Sequence, residues 1–170
     1  MGARYHDRTI MLNGEAGMRT FAIAALAIAM TFGAAANVRA EGPEPNPTLT
    51  PEDVVRIQMG ALRHNDVPKP DAGIEITFRF ASPRNKAMTG PLPRFAAMVR
   101  NPIYGPMINH RRASFENLQI KGDQAEIDVI LETEDGKTFG YRFLLTRQHG
   151  NPFEGSWMTD SVAPINVTTL

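Results

Sequence analysis

IEITFRFASPRNKAMTGPLPRFAAMV, residues Ile74–Val99, is the stretch on which the fold turns. Its first half can be read two ways. Ile74, Ile76, Phe78 and Phe80 alternate with polar residues, which predicts a strand. Ile74, Phe78 and Ala81 also share a helical face, with Asp71 placed to cap it. Propensity alone leans to the strand. Ser82-Pro83 ends the element on either reading, and Asn85 to Gly90 reads as a turn-rich link. Leu92-Pro93 then opens a short helix carrying Phe95, Met98 and Val99 on one face, stopped at Asn101-Pro102.

Upstream, Thr50-Pro51-Glu52-Asp53 is a helix start: a capping hydroxyl, a proline at the first helical position and two acids against the dipole. Val54, Ile57 and Ala61 run beside Val55, Met59 and Leu62, giving one broad buried face that should fade at His64-Asn65-Asp66. Residues 41–49 are polar and Pro-rich, a flexible lead-in. Downstream the texture changes to strands. Ser114–Ile120 is the first. Ala125, Ile127, Val129 and Leu131 then alternate with acids to give the second. Glu134-Asp135-Gly136-Lys137 is a hairpin signal. Phe139, Tyr141, Phe143 and Leu145 form the return strand. Gln148–Gly155 is a loop, Ser156–Val162 the last strand, and 164–170 a tail. Helices followed by antiparallel strands predict one α+β domain over 50–163, the helices packed on a curved sheet of about four strands.

The chain has 170 residues and no cysteine, which excludes disulfides, thiolate metal sites and a Cys nucleophile. Eighteen basic residues balance eighteen acidic ones, so nothing in the charge recommends nucleic acid or an anionic membrane as a partner. Arg19, an apolar Ala-rich run from Phe21 to Ala36, and the small residues of Val38-Arg39-Ala40 have the order of a secretory signal. The run falls short of the ~20 strongly apolar residues of a spanning helix. Cleavage is expected between Ala40 and Glu41, leaving a periplasmic or secreted protein that meets the membrane only during export. Residues 1–17 are mixed in charge and form no apolar pattern. Met18-Arg19-Thr20 makes a more ordinary start, so 1–17 is expected to be a misplaced beginning of the reading frame.

PEDVVRIQMGALRHND, then FRFASP, then RFAAMV, then a Trp-containing strand GSWMTDSV resemble a family of bacterial exported proteins of unknown function. That family is similar to the nuclear transport factor 2-like superfamily, which also holds ketosteroid isomerase, scytalone dehydratase and the SnoaL-like cyclases. The resemblance spans Thr50 to Val162. It implies a cone-shaped, cystatin-like α+β fold with a pocket between helices and sheet. It also implies that Asp71–Ala81 is a helix, against the alternation.

Candidate chemistry is sparse. With Asp135-Gly136 as a two-residue turn, Asp128 faces Phe143, Ile130 faces Tyr141 and Glu132 faces Phe139, while Val129 meets Arg142. A carboxylate against rings would be desolvated and its pKa raised, as a general acid or base requires. Asp128 and Asp160 are therefore the catalytic candidates, with Phe78, Tyr141, Phe143 and Trp157 as pocket walls. The bland alternative is a solvated or subunit-facing surface. His110-Arg111-Arg112 could clamp an anion through Arg111 and Arg112. The simpler expectation pairs them with acids on the next strand, six of which (Asp123, Glu126, Asp128, Glu132, Glu134, Asp135) stand without an intervening base. Arg79, Arg84, Lys86, Arg94 and Arg100 make the central stretch basic, a pattern commoner on solvated faces than in ligand sites. His64, His110 and His149 have no metal-ligand spacing, Gly155-Ser156-Trp157 is no nucleophile elbow, and no Gly-rich phosphate loop exists. No cofactor or metal is expected.

The sequence thus predicts an exported small binding or interaction domain, forming a homodimer through the outer sheet face, with a small molecule or protein as partner. The alternative is an isomerase- or dehydratase-like enzyme using Asp128 or Asp160 in the cone pocket.

Overall fold

The structure, a computed structural model, describes residues 42–167. The expected signal segment, its Ala40/Glu41 cleavage point and the last tail residues lie outside them. Among the described residues four helices precede four strands: α1 (Pro51–Arg63), α2 (Ala72–Arg79), α3 (Pro83–Thr89), α4 (Leu92–Val99), β1 (Arg112–Lys121), β2 (Gln124–Glu132), β3 (Thr138–Arg147) and β4 (Trp157–Ile165), with a 3-10 turn at Gly105–Met107. The sheet is an open antiparallel meander in the order β1-β2-β3-β4. This is the α+β class expected.

The ambiguous stretch is a helix. Its alternation is a coincidence of composition: Ile74 and Phe80 are fully buried, while Ile76 and Phe78 are only partly covered. The helix forms because α1 supplies what α2 lacks. Gly73 presses so close that a Cβ there would lie 2.1 Å from the Ala61 carbonyl oxygen. The Gly73 N–H donates to the Asn65 carbonyl at 2.9 Å, and the Ile74 N–H to Asn65 Oδ1 at 3.1 Å. Asp71 occupies the N-cap position with φ +63° but makes no side-chain cap bond. Asn65, which the sequence marks as the fading end of α1, caps the next helix instead. At the start of α1 the expected capping box is present: Asp53 N–H donates to Thr50 Oγ1 at 3.1 Å and Thr50 N–H to Asp53 Oδ2 at 2.9 Å.

Two expectations need correction. Asn85–Gly90 is not a link: Ser82 caps and Pro83 opens α3, with the Asn85 N–H on Ser82 Oγ at 3.1 Å. The second concerns the hairpin. Thr133 N–H donates to the Lys137 carbonyl and Gly136 N–H to that of Thr133, with Gly136 at φ +79°. The loop therefore has three residues rather than two, a turn closed by a left-handed glycine. Register moves by one. Asp128 pairs with Arg142, Val129 with Tyr141, and Ile127 with Phe143. One residue of slip sends every side chain to the opposite partner face. The rings thus join Ile127, Val129 and Leu131 in the core beneath the helices, and the acids stand on the outer face.

Both edge strands are bulged. Register shifts between Glu116 and Gln119 in β1 and between Thr159 and Ser161 in β4, where Asp160 is the extra residue. A bulge bends its strand and re-aims a side chain. At β4 the bend is held from the helical side: Thr159 exchanges backbone bonds with Phe80 and Ser82, each 2.9 Å.

Candidate functional site

The expected walls do not enclose a space. Tyr141, Phe143 and Trp157 are each at most 3 % exposed and serve as core. The Tyr141 hydroxyl donates to the Ile103 carbonyl at 2.7 Å, and burial, with Tyr104 nearby, pushes its pKa up to about 12. The Arg147 guanidinium covers Trp157, 4.9 Å from its ring centre. Phe78 packs on Phe95 with ring centres 5.1 Å apart and faces the Lys86 ammonium at 5.3 Å. Lys86 also reaches the Arg79 carbonyl at 3.0 Å, and burial lowers its pKa.

Asp128 is not the desolvated acid that its expected pairing with Phe143 implied. It accepts from Arg142 Nε at 2.7 Å, Arg142 Nη2 at 2.9 Å and Asn117 Nδ2 at 3.0 Å. The Arg142 hydrogen bonds hold its pKa below the usual carboxylate value, outweighing the opposing effect of burial. Arg111 and Arg112 converge on Glu132, at 2.9 Å from Nη1 of the first and 2.7 Å from Nε of the second, as the simpler expectation has it. Among the described residues no group of His and carboxylates is arranged to hold a metal.

Asp160 is placed differently. A small, mainly apolar cavity of ≈ 150 Å³ lies between α3, α4 and β4, lined by Phe95, Met98, Val99, Met107 and Val162 among others. A second, more polar cleft of ≈ 560 Å³ runs along the β1–β2 hairpin end of the sheet. The two share Met88, Asp160 and Ser161 in their linings. The β4 bulge thus brings a carboxylate to the place where an apolar hole meets a polar cleft.

The wall of the small cavity nearest α1 is polar and fully satisfied. Gln58 Nε2 donates to the Thr77 carbonyl at 3.2 Å, and Thr159 Oγ1 donates to Gln58 Oε1 at 2.7 Å. Asn85 Nδ2 donates to the Thr159 carbonyl at 3.2 Å. Gln58, Asn85 and Thr159 are all buried. Such a network fixes geometry because each member would be costly to leave unpaired. It ties α1, α2, α3 and β4 together and sets the position of the residue after Thr159, which is Asp160.

A family model, Domain of unknown function (DUF4864), matches residues 46–168. The chain belongs to this family. No curated protein and no solved structure matches it. The family match covers every element described above, from the cap of α1 to the end of β4. Reading residues one by one found Asp160 but missed the cavity around it. Gln58 and Asn85 look like ordinary surface amides in sequence. The bulge did leave a trace: Trp157 and Thr159 share one phase, Val162 and Pro164 the other, with the slip at Asp160.

Proposed function

We propose that the chain is an exported, periplasmic binding domain built on the nuclear transport factor 2-like cone, taking a small molecule at the β4 bulge. The observation that carries this reading is the apolar cavity between α3, α4 and β4, which shares Asp160 in its lining with a larger cleft. Ligand sites are concave, largely apolar and furnished with a few placed polar groups, and this one has that make-up. The leader-like order of residues 19–40 supports export, and the helix over Ala72–Arg79 is what the cone-shaped relatives imply.

Two measurements test it. Full-length chain made in an exporting host should yield a mature N-terminus at Glu41; a periplasm-free product retaining residues 18–40 overturns the export reading. An environment-sensitive apolar fluorophore should brighten on the purified protein, and Val162→Phe, which fills the cavity, should abolish the response. Equal brightening with both proteins removes the site.

Dimerisation through the outer sheet face belongs to the same reading. Leu144 stands 42 % exposed there beside the Asp128–Arg142 pair. Light scattering should give twice the monomer mass, reduced by Leu144→Lys; a monomer at high concentration ends that part. Acid–base catalysis in the cone pocket is the second reading, favoured only by the position of Asp160. It requires Asp160→Asn to abolish turnover while leaving fluorophore binding intact.

A further inference from the structure

Three charges on the cleft have no partner. Arg84, Lys121 and Asp160 all line it, and among the described residues none of them enters an ion pair or a side-chain hydrogen bond. Two arginines on the outer sheet face, by contrast, are matched: Arg142 with Asp128, and Arg112 with Glu132. Glu126, the other acid on the cleft, has Arg142 at 3.9 Å. The unmatched set therefore consists of one carboxylate that lines both the apolar cavity and the cleft, and two cations that line the cleft.

An ionised carboxylate only accepts hydrogen bonds, so Asp160 asks for an N–H or O–H donor, and its charge favours a cationic one. A guanidinium fork matches a carboxylate, and Lys121 adds a point charge of the same sign. A purely anionic ligand would be opposed by Asp160, and a purely cationic one by Arg84 and Lys121. The apolar cavity is small: ≈ 150 Å³ holds about five water volumes at roughly 30 Å³ each. That suits a branched aliphatic side chain better than a long acyl chain. The larger cleft has room for a peptide backbone. Met88, 68 % exposed and shared by both linings, is a flexible thioether able to fold over what enters.

We propose that the site takes a small zwitterion with an apolar side chain, a free apolar amino acid or short apolar peptide. Its ammonium meets Asp160, its carboxylate meets Arg84 and Lys121, and its side chain enters the cavity. The proposal rests on the reading of that cavity as a ligand site.

The test is calorimetric titration of the purified full-length product with four probes: free leucine, leucyl-leucine, its N-acetyl derivative and its C-terminal amide. Leucyl-leucine or leucine should bind. Loss of either end charge should weaken binding on the order of tenfold to a hundredfold, the range of a charge-assisted hydrogen bond. Asp160→Asn should weaken the parent probe equally and make it indifferent to N-acetylation. Arg84→Gln should make it less sensitive to amidation. If the fluorophore binds the cavity but no probe displaces it, the zwitterion proposal is overturned and the cavity reading stands. The same holds if the N-acetyl or amide form binds as well as the parent, which would point to a simple acid or a simple amine. If neither fluorophore nor probe binds, the cavity reading itself fails.

Discussion

Asp128 is only 3 % exposed, yet it stays ionised because three N–H donors meet it. Two come from Arg142 on the neighbouring strand. The third comes from Asn117, whose φ of +52° places it in the β1 bulge, in a left-handed conformation that Asn tolerates. Removing one partner of such a pair leaves an uncompensated charge behind, and that costs more than the pair itself contributes. Arg142→Leu is therefore expected to raise the pKa of Asp128 and to destabilise the fold at neutral pH. The folded-state pKa of Asp128 lies below the ordinary aspartate value of 3.8, so its contribution is present above that value and fades as pH falls through the folded pKa. The variant should approach the wild type in strong acid. Carboxyl chemical shifts and urea midpoints at pH 7 and pH 3 would check both points; an unchanged Asp128 titration would mean that Arg142 does not hold it.

At the scale of elements, α2 depends on α1 more than on its own residues. With eight residues it is too short to persist alone in water. It is held by Asn65, by the close approach at Gly73, and by burial of Ile74 and Phe80, each contributing about 1.5–3 kcal/mol. Asn65→Ala should cost about 0.5–2 kcal/mol, the range of a lost N-cap. Gly73→Ala should cost at least ~1–3 kcal/mol, because the added methyl meets backbone rather than a side chain that could swing away. Urea denaturation gives both values, and amide exchange should show α2 opening first. Protection lost uniformly across the sheet would contradict this order. The element also shows where sequence reading stops. A window over Ile74–Ala81 sees alternation; the partner that makes it helical is Asn65, outside the window and itself read as a terminator. The α3 helix was legible in principle, since Ser82-Pro83 is a cap followed by a first-turn proline. The β2–β3 register was not. Asp-Gly suits a two-residue and a three-residue loop alike, and the choice between them decided whether Asp128 met Phe143 or Arg142.

Across the domain, long-range order passes through buried polar residues as well as apolar ones. The α1 and α4 helices, the strands and many core positions could be read from periodicity, because burial imposes it. The candidate site could not, because it is assembled from Gln58, Asn85, Phe95, Thr159 and Asp160, contributed by α1, α3, α4 and β4. His110 is a second junction of this kind, just before β1. It is 4 % exposed, and its Nδ1–H donates to the Met107 carbonyl at 2.9 Å. Burial lowers its pKa below 6.5, outweighing the opposing effect of the hydrogen bond to Met107, and the Arg63 guanidinium pushes the same way as burial. The unfolded chain therefore takes up this proton more readily than the folded one, so stability is complete above about pH 6.5 and declines as pH falls below it. Melting temperature should drop between pH 7.5 and pH 5, and His110→Asn, which keeps a donor for Met107 but cannot titrate, should flatten that drop. Among the described residues, each carboxylate with a lowered pKa (Asp53, Asp128, Asp135) loses its contribution only below the ordinary aspartate value of 3.8. The two effects therefore separate along the pH axis. A variant that keeps the wild-type slope between pH 7.5 and pH 5 would show that the proton is taken up elsewhere.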